Sequence, residues 1–561
     1  MLSENSTGVV QKFERATRIP SRVSRFGLDL GICRRYESLD RWYYLDCEMS
    51  KIGNSHSATS SAGLLVRIDP RAPQGLQQQV YSAVRRAILE GTLAPGTRLP
   101  SSRTFAADLC VSRTTTLLAY EQLLAEGYLT ARHGSGTFVA AELPDDLPQR
   151  TAPRRLARTR HPQLSRRGMA LADTPGSSRR LGGPPRAFRL GVPALDLFPV
   201  RVWSQLVSRR SRSMTLRQLD YSDPAGFRDL RKAIADHTQA ARGTNCSADQ
   251  VFVVAGAQRA LQMIGSLLLD PGDRVWLEEP GYPGARSALV QAGAKIVAAR
   301  VDAHGLDVAA AARQEPHARL AYVTPSNQFP LGVPMSLMRR LALLKWASKV
   351  GAWIVEDDYD SEFRYSTRPF PSLHGLDADG RVIYVGTFAK SIFPAMRLGF
   401  VIVPTDLREQ FLAARRTTDV HPPVLEQMAL ADFIGGGHYA THLRRMRSAY
   451  RERIEALIEA AKESCGGVLS LRPIHTGLHA VADLDGVDEE RVCEEAALRG
   501  IEVAPLGMYY IGRQTATGLL LGFASTPAES LRRGMERLAD AIDAAHRPIR
   551  AQRSHAAIVG S

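Results

Sequence analysis

Between about residues 190 and 404 of this 561-residue chain, seven short apolar runs alternate with segments of helical period. The runs are Val251–Val254, Arg274–Leu277, Lys295–Ala299, Leu320–Val323, Ala352–Val355, Val382–Val385 and Gly399–Val403, with helical patterns such as Leu337–Lys349 between several of them. Strand–helix alternation implies a mostly parallel sheet covered by helices on both faces, so the fold class expected is α/β. From 405 to 545 long helices lead into a smaller α+β unit that ends in the helix Ala528–Ala544. A chain of this length exceeds one ordinary core, and two or three domains are expected.

Ahead of the alternating region the chain changes character three times. Residues 1–62 show no sustained period, and their one apolar cluster is Arg41-Trp42-Tyr43-Tyr44-Leu45. A disordered extension is expected there, with Met49 as an alternative initiator. Residues 70–140 form a compact domain on this reading. Val80, Val84, Ala87 and Ile88 mark one helical face, which Gly91 and Pro95-Gly96 end. Ser101 or Ser102 then caps a short helix through Leu109, and Ser112 caps another whose Leu117, Leu118, Tyr120, Leu123 and Leu124 are expected to pack inward. Tyr128–Arg132, a turn at His133-Gly134-Ser135-Gly136 and Thr137–Ala140 read as a β-hairpin. Residues 141–188 are expected as an aperiodic linker rich in Pro, Gly and Arg, and 546–561 as a tail.

The formal net charge of +15 points to a polyanionic partner. Much of it sits in 151–190, which holds ten arginines, no lysine and one acid, Asp173. Such a run is most often solvated linker; loose contact with phosphates is the sharper reading. No apolar stretch of about 18 residues occurs, which argues against a membrane helix, and no signal-peptide core precedes the first domain. Six cysteines without C-x-x-C spacing suggest reduced, cytoplasmic usage and offer neither a zinc site nor a disulfide frame.

Three short helices followed by a glycine-turned hairpin describe a winged helix-turn-helix. Ser112, Arg113, Thr114 and Thr115 open its second paired helix, where side-chain donors and a cation can meet base edges and phosphates in a major groove. Arg132 and His133 lie on the wing beside Gly134 and Gly136, whose bare backbone can approach a phosphate. Arg98 and Arg103 flank the first paired helix, in position for backbone contacts. The stretch R-L-P-S-S-R…V-S-R-T-T…Y-E-Q-L-L-A-E-G-Y-L…G-S-G-T-F-V-A resembles a GntR-type winged helix over nearly all of 74–140.

The α/β part carries a second set of motifs at strand ends, where open parallel sheets bind ligands. Trp353-Ile354-Val355 runs into Glu356-Asp357-Asp358-Tyr359-Asp360, a pattern that alone is as often a loop or a metal site. The next strand delivers Gly386-Thr387-Phe388-Ala389-Lys390-Ser391, and Arg397 follows in Pro394-Ala395-Met396-Arg397-Leu398-Gly399. Gly256, Ala257 and Gln258 open a helix whose free N–H groups form an anion cradle. Tyr282 and Asn327 lie after two further strands. The block K-S-I-F-P-A-M-R-L-G with these partners resembles a fold-type I, class I aminotransferase domain.

Together with the GntR-like head, the match over 74–545 resembles the MocR/GabR family of transcription regulators. That resemblance implies pyridoxal 5′-phosphate (PLP) as cofactor and no metal. Lys390 would be its Schiff-base lysine, Asp357 the partner of the pyridine nitrogen, and Tyr359 with Asn327 the partners of the ring 3-oxygen. Tyr282 would stack on the ring, although in isolation it is as readily a packed core tyrosine. Arg397, Thr387 and the Gly256–Gln258 turn would hold the phosphate. Tyr221, in Tyr-Ser-Asp-Pro-Ala-Gly, would reach the phosphate of a second subunit, which implies a homodimer. Operator DNA, and a small amine or amino-acid effector, are the partners implied.

One departure bears on function. Where class I aminotransferases carry an arginine that clamps the substrate α-carboxylate, in a pattern like R-L-S-F-A, this chain reads Leu519-Leu520-Leu521-Gly522-Phe523-Ala524 and has Leu520. The expectation is a regulator that senses PLP or an amine, with weak or vestigial turnover; the alternative is an active aminotransferase with an accessory DNA-binding head.

Overall fold

The computed structural model describes residues 68–144, 164–172, 186–365 and 371–546. The expected N-terminal extension with Met49, most of the linker and nearly all of the tail lie outside the described residues. The chain divides into two compact units, residues 1–159 and 160–561.

In the first unit, helix α1 (Leu76–Leu89) buries Val80, Val84, Ala87 and Ile88, the face set by their spacing. Helix α2 (Ser102–Asp108) starts at Ser101, whose side chain accepts from the Thr104 N–H at 3.1 Å. Helix α3 (Arg113–Ala125) starts at Ser112, which accepts from the Thr115 N–H at 3.1 Å. The inward face of α3 differs from the expectation: Thr116, Ala119, Tyr120 and Leu123 are buried, while Leu117 and Leu118 are exposed. The reason is angular, since 116, 119/120 and 123 share one stripe of a 3.6-residue helix and 117 and 118 fall beside it. Thr116 tolerates burial because its hydroxyl donates to the carbonyls of Ser102 and Arg113. Strands β1 (Leu129–Arg132) and β2 (Gly136–Val139) pair antiparallel, Arg132 facing Gly136, to form the wing.

The second unit is built on an eight-stranded sheet. Its strands are β3 (Val251–Val254), β4 (Arg274–Glu279), β5 (Lys295–Asp302), β6 (Gly305–Leu306), β7 (Leu320–Val323), β8 (Trp353–Asp358), β9 (Val382–Thr387) and β10 (Gly399–Ile402), in the order β3-β10-β9-β8-β7-β4-β5-β6. β4, β5, β7, β8 and β9 are mutually parallel, and β10 runs antiparallel to both its neighbours. All seven expected strands form. The acidic run expected just beyond β8 belongs to it, because the strand continues through Asp358. Buried partners for each carboxylate make that extension tolerable, as the site shows.

A smaller antiparallel sheet, β11 (Leu469–Leu471), β12 (His479–Leu484), β13 (Ala504–Pro505) and β14 (Gly518–Gly522), has the order β11-β12-β14-β13. The helices His438–Ser464, Glu489–Leu498 and Ala528–His546 pack with it into one core. The helix Arg408–Thr418, expected within the smaller unit, packs on the large sheet, where Phe411 meets Phe252, and Phe433 of the helix Val424–Gly435 joins the shared core beside Leu206 and Ile234. Inside the span expected as aperiodic linker a helix forms at Arg166–Ala172, with the Ser165 hydroxyl accepting from the Gly168 N–H at 3.0 Å. Among the described residues no helix is long and apolar enough to cross a membrane.

Candidate DNA interface and cofactor site

On the head, Arg98, Arg103, Ser112, Arg113, Thr114, Arg132, His133, Gly134 and Gly136 are exposed, and Thr115 is half-buried. The Ser112 and Thr115 hydroxyls hydrogen-bond each other at 2.8 Å, so both serve the cap that starts α3. Arg113 and Thr114 are left as the outward side chains of its first turn. Arg132 stacks over Phe138, its guanidinium carbon 5.0 Å from the ring centroid, which holds the cation on the wing. Gly136 has φ +114°, and a Cβ there would lie 3.0 Å from Arg98 Nε. Arg98 therefore joins the wing face, where the sequence suggests only that it flanks α2.

In the larger unit, the ends of β3, β7, β8 and β9 bring the second motif set together. Asp357 is buried, and its Oδ2 accepts from the Tyr322 hydroxyl at 2.7 Å. Its Oδ1 is buried with no partner among the described residues. Burial raises the carboxyl to about 6, against the Tyr322 hydrogen bond that favours its charge. A buried acceptor left open in this way suits the protonated nitrogen of a pyridine ring.

Asn327 Nδ2 donates to Tyr359 Oη at 3.0 Å and to Asp360 Oδ2 at 2.9 Å, while Thr476 donates to Asn327 Oδ1 at 2.7 Å. Both amide hydrogens of Asn327 are thus committed. The Tyr359 proton remains to donate to a ring oxygen, and the Asn327 amide holds the Tyr359 hydroxyl in place. Tyr282 meets Phe329 edge-on at 5.8 Å between centroids, and Phe329 meets Tyr359 in the same way at 5.9 Å.

Lys390 Nζ donates to the Gly191 carbonyl at 2.7 Å. Burial lowers the ammonium from its ordinary value, and the Asp360 and Asp357 carboxylates oppose that shift. A lysine held by one neutral carbonyl and partly desolvated is prepared to lose its proton. Gly191 escapes the sequence reading; a Leu-Gly-Val-Pro segment at the end of a linker carries no chemistry of its own. Its φ of +71° is a glycine conformation, and a Cβ there would sit 2.6 Å from the lysine nitrogen.

The phosphate end is equally distinct. Gly256 (φ +88°) caps the Ala257–Leu268 helix, and the N–H groups of Ala257 and Gln258 donate to no backbone carbonyl among the described residues. A Cβ on Gly256 would lie 3.4 Å from Arg397 Nη2, so the exposed guanidinium faces the helix start. Arg397 Nη2 also donates to the Ala255 carbonyl at 3.2 Å. The Gln258 side chain donates to the Gly284 carbonyl at 3.0 Å and ties the cradle to the Tyr282 loop. Thr387 is buried at the end of β9, and its hydroxyl accepts from the Ala389 N–H at 3.2 Å. Tyr221 stands apart, 83% exposed, with His421 as its ring neighbour at 6.5 Å.

Leu520 lies on β14 between Val481 of β12 and Ala504 of β13 and is fully buried. It belongs to an apolar cluster with Leu506 and Tyr509, against which Leu190 and Phe329 pack. Among the described residues no group of three His, Cys, Asp or Glu side chains converges to hold a metal ion.

A winged helix in one unit, with a sheet whose strand ends gather an amine, a buried carboxylate and an anion cradle in the other, defines a DNA-binding protein of the aminotransferase-fused class. Residues 76–139 match the family model "Bacterial regulatory proteins, gntR family", and 188–538 match "Aminotransferase class I and II". The probable rhizopine catabolism regulatory protein MocR of Rhizobium meliloti is 41% identical over 477 residues, covering 85% of this chain and 95% of that protein. The pyridoxine biosynthesis transcriptional regulator PdxR of Corynebacterium glutamicum is 31% identical over 86% of this chain and 99% of its own length. Kynurenine aminotransferase of Pyrococcus horikoshii superposes with a TM-score of 0.60 at 27% identity, over 64% of this chain and 91% of that one. The chain belongs to the MocR-type family of transcription regulators, in which a gntR-type head is fused to an aminotransferase class I and II domain.

Proposed function

We propose that this regulator binds operator DNA through α3 and the wing, and that its aminotransferase-like part holds PLP and uses it to sense PLP itself or a small amine or amino acid. Leu520, buried in an apolar cluster where the aminotransferases this chain resembles carry an arginine, carries the choice of sensing over turnover. Leucine offers no partner to an α-carboxylate, and a lost charge-assisted bidentate pair costs about 1.5–3 kcal/mol or more.

When bound, PLP supplies an aldehyde that condenses with amines and a ring that withdraws electrons. The chain's own residues do the rest. Asp357 Oδ1 would accept from the ring nitrogen and keep it protonated, and Tyr359 would donate to the 3-oxygen. Tyr282 would cover the ring. Arg397, Thr387 and the N–H groups at Ala257 and Gln258 would hold the phosphate. Lys390 would give the covalent attachment after passing its proton away. A ligand alters operator binding only to the extent that it prefers one arrangement of the protein over another.

The reading includes a homodimer. Leu216 (86% exposed), Leu219 (67%) and Tyr221 form an exposed apolar arm, suited to a second copy whose phosphate Tyr221 would reach. A cytoplasmic location accords with Cys110, Cys246, Cys465 and Cys493, which form no disulfide among the described residues, and with a DNA partner. The second reading, an active aminotransferase, is favoured by the Lys390–Asp357–Arg397 set alone. Footprinting of the DNA upstream of the regulator's own gene, with and without PLP, tests the proposal. Protection whose extent or position changes with PLP supports it; robust amino-acid turnover together with PLP-indifferent DNA binding overturns it.

A further inference from the structure

Successive residues of a strand point to opposite faces, and β8 sends Asp357 and Asp358 different ways. Asp357 meets Tyr322 on the face packed by the Ala257–Leu268 and Pro283–Gln291 helices. Asp358 meets Arg242 and Tyr384 on the other face. A cavity of about 400 Å³ lies on that second face, within the ~300–1,000 Å³ typical of small-molecule sites. It shares only Thr387 with the cofactor residues.

The cavity wall carries an unusual set of charged residues among apolar ones. Arg242 and Asp358 are 6% and 4% exposed and pair at 2.6 Å, yet Arg242 Nη1 and Asp358 Oδ1 are buried without partners among the described residues. Glu362 Oε2, on the same wall, is unpartnered as well. Buried polar atoms are normally satisfied, so one spare donor and two spare acceptors on residues of the same wall favour a polar occupant. Three more arginines line the cavity, Arg364, Arg447 and Arg451, and none has an ion pair among the described residues. Arg447 Nε donates to the Glu362 carbonyl at 2.7 Å, and Arg451 is exposed.

Four arginines against two carboxylates leave an excess of positive charge, which repels metal ions and attracts an oxyanion. The number of guanidinium groups exceeds what the two oxygens of a carboxylate engage and suits the three terminal oxygens of a phosphate monoester. Asp358 Oδ1 and Glu362 Oε2 require hydrogen-bond donors on the same molecule, which hydroxyl groups provide. We propose that this cavity is a second ligand site, for a small hydroxylated phosphate ester of the polyol- or sugar-phosphate kind.

Its wall leads to the cofactor lysine. The Tyr439 hydroxyl bridges Glu362 Oε1 at 3.4 Å and Ser391 Oγ at 2.9 Å, and Ser391 follows Lys390 directly. An occupant that engages Glu362 thus touches a side chain two contacts from Lys390. The site stands independently of the sensing proposed for the cofactor.

Titration calorimetry on the full-length, PLP-saturated protein in phosphate-free buffer tests the assignment, with glycerol 3-phosphate, glycerate and glycerol as probes. Glycerol 3-phosphate should bind saturably with one site per chain, glycerate more weakly, and glycerol not at all. Arg451→Gln, an exposed change that should leave the melting temperature unaltered, and Glu362→Gln should each weaken binding on the order of tenfold. Arg113→Ala on the head should leave it unchanged. Absence of saturable heat, glycerate binding as tightly as glycerol 3-phosphate, full binding in Arg451→Gln, or loss in Arg113→Ala would each overturn the proposal.

Discussion

The Tyr322 hydroxyl donates to Asp357 Oδ2 at 2.7 Å and leaves Oδ1 buried without a partner among the described residues. The carboxylate is oriented by one oxygen and kept available by the other. Because burial holds its proton up to about pH 6, ionisation costs the folded, cofactor-free chain stability as pH rises through that value. A protonated ring nitrogen bound at Oδ1 relieves that cost.

PLP affinity should therefore fall as pH drops below about 6, where Asp357 becomes neutral and no longer favours a protonated ring. Asp357→Asn should remove the dependence and weaken PLP by about 1.5–3 kcal/mol, roughly tenfold to a hundredfold. Titration of the cofactor's visible absorbance on either side of that pH reads both effects. An unchanged affinity in the variant contradicts the role given to Oδ1.

Gly191→Ala should displace the lysine while leaving the fold intact. The new Cβ would sit 2.6 Å from Lys390 Nζ at a φ of +71°, where a side chain costs about 1–2 kcal/mol of backbone strain. Covalent capture of PLP, followed by absorbance, should slow roughly tenfold or more. Lys390→Ala should abolish the capture outright yet retain operator binding in a gel-shift assay. Loss of all DNA binding in Lys390→Ala would contradict a head that reads DNA on its own.

Arg113→Ala should weaken operator binding by about 1–3 kcal/mol and make it less sequence-selective, if the guanidinium contacts a base edge. Arg132→Ala on the wing should weaken binding nearly equally on all sequences and lower the salt dependence. Affinities on the operator and on a scrambled duplex at two salt concentrations separate the two roles.

Because Leu520 stands among Leu506, Tyr509 and Phe329, an α-carboxylate on the ligand should add little to affinity. An amine and the corresponding α-amino acid should bind within about tenfold of each other, where a carboxylate-clamping site would reject the amine by orders of magnitude. Competition measured on the cofactor spectrum checks this. A large preference for the amino acid would require a clamp elsewhere.

Leu216→Asp together with Leu219→Asp should shift a dimer toward monomer and lower PLP affinity through Tyr221. Light scattering and the PLP titration report the two effects. A monomeric wild type, or an undisturbed dimer in the variant, would contradict the role given to this arm.

Much of this site is legible one residue at a time. Lys390, Asp357, Tyr359 and Arg397 follow strands in short blocks whose chemistry is local, and the seven sheet strands announce themselves because buried parallel strands are continuously apolar. The inward face of α3 is not legible at Leu117 and Leu118, since a run of leucines does not say which of them falls on the core stripe. Nor does the sequence show that the Asn327 amide donates to Tyr359 and Asp360, which lie 32 and 33 positions away.

The sequence by itself determined the two-part plan and the order of the strands along the chain, which rest on short-range pattern. Its resemblance to class I aminotransferases marked the residues that suit PLP, and Leu520 where an arginine is expected. Only the tertiary structure decided that Tyr322 would orient Asp357, that Gly191 would hold Lys390 from 199 residues away, and that Arg242 would reach Asp358 across 116 residues to edge a second cavity. Those contacts depend on which strands become neighbours in the sheet, and neighbourhood in a crossover-linked sheet is fixed by packing between distant segments.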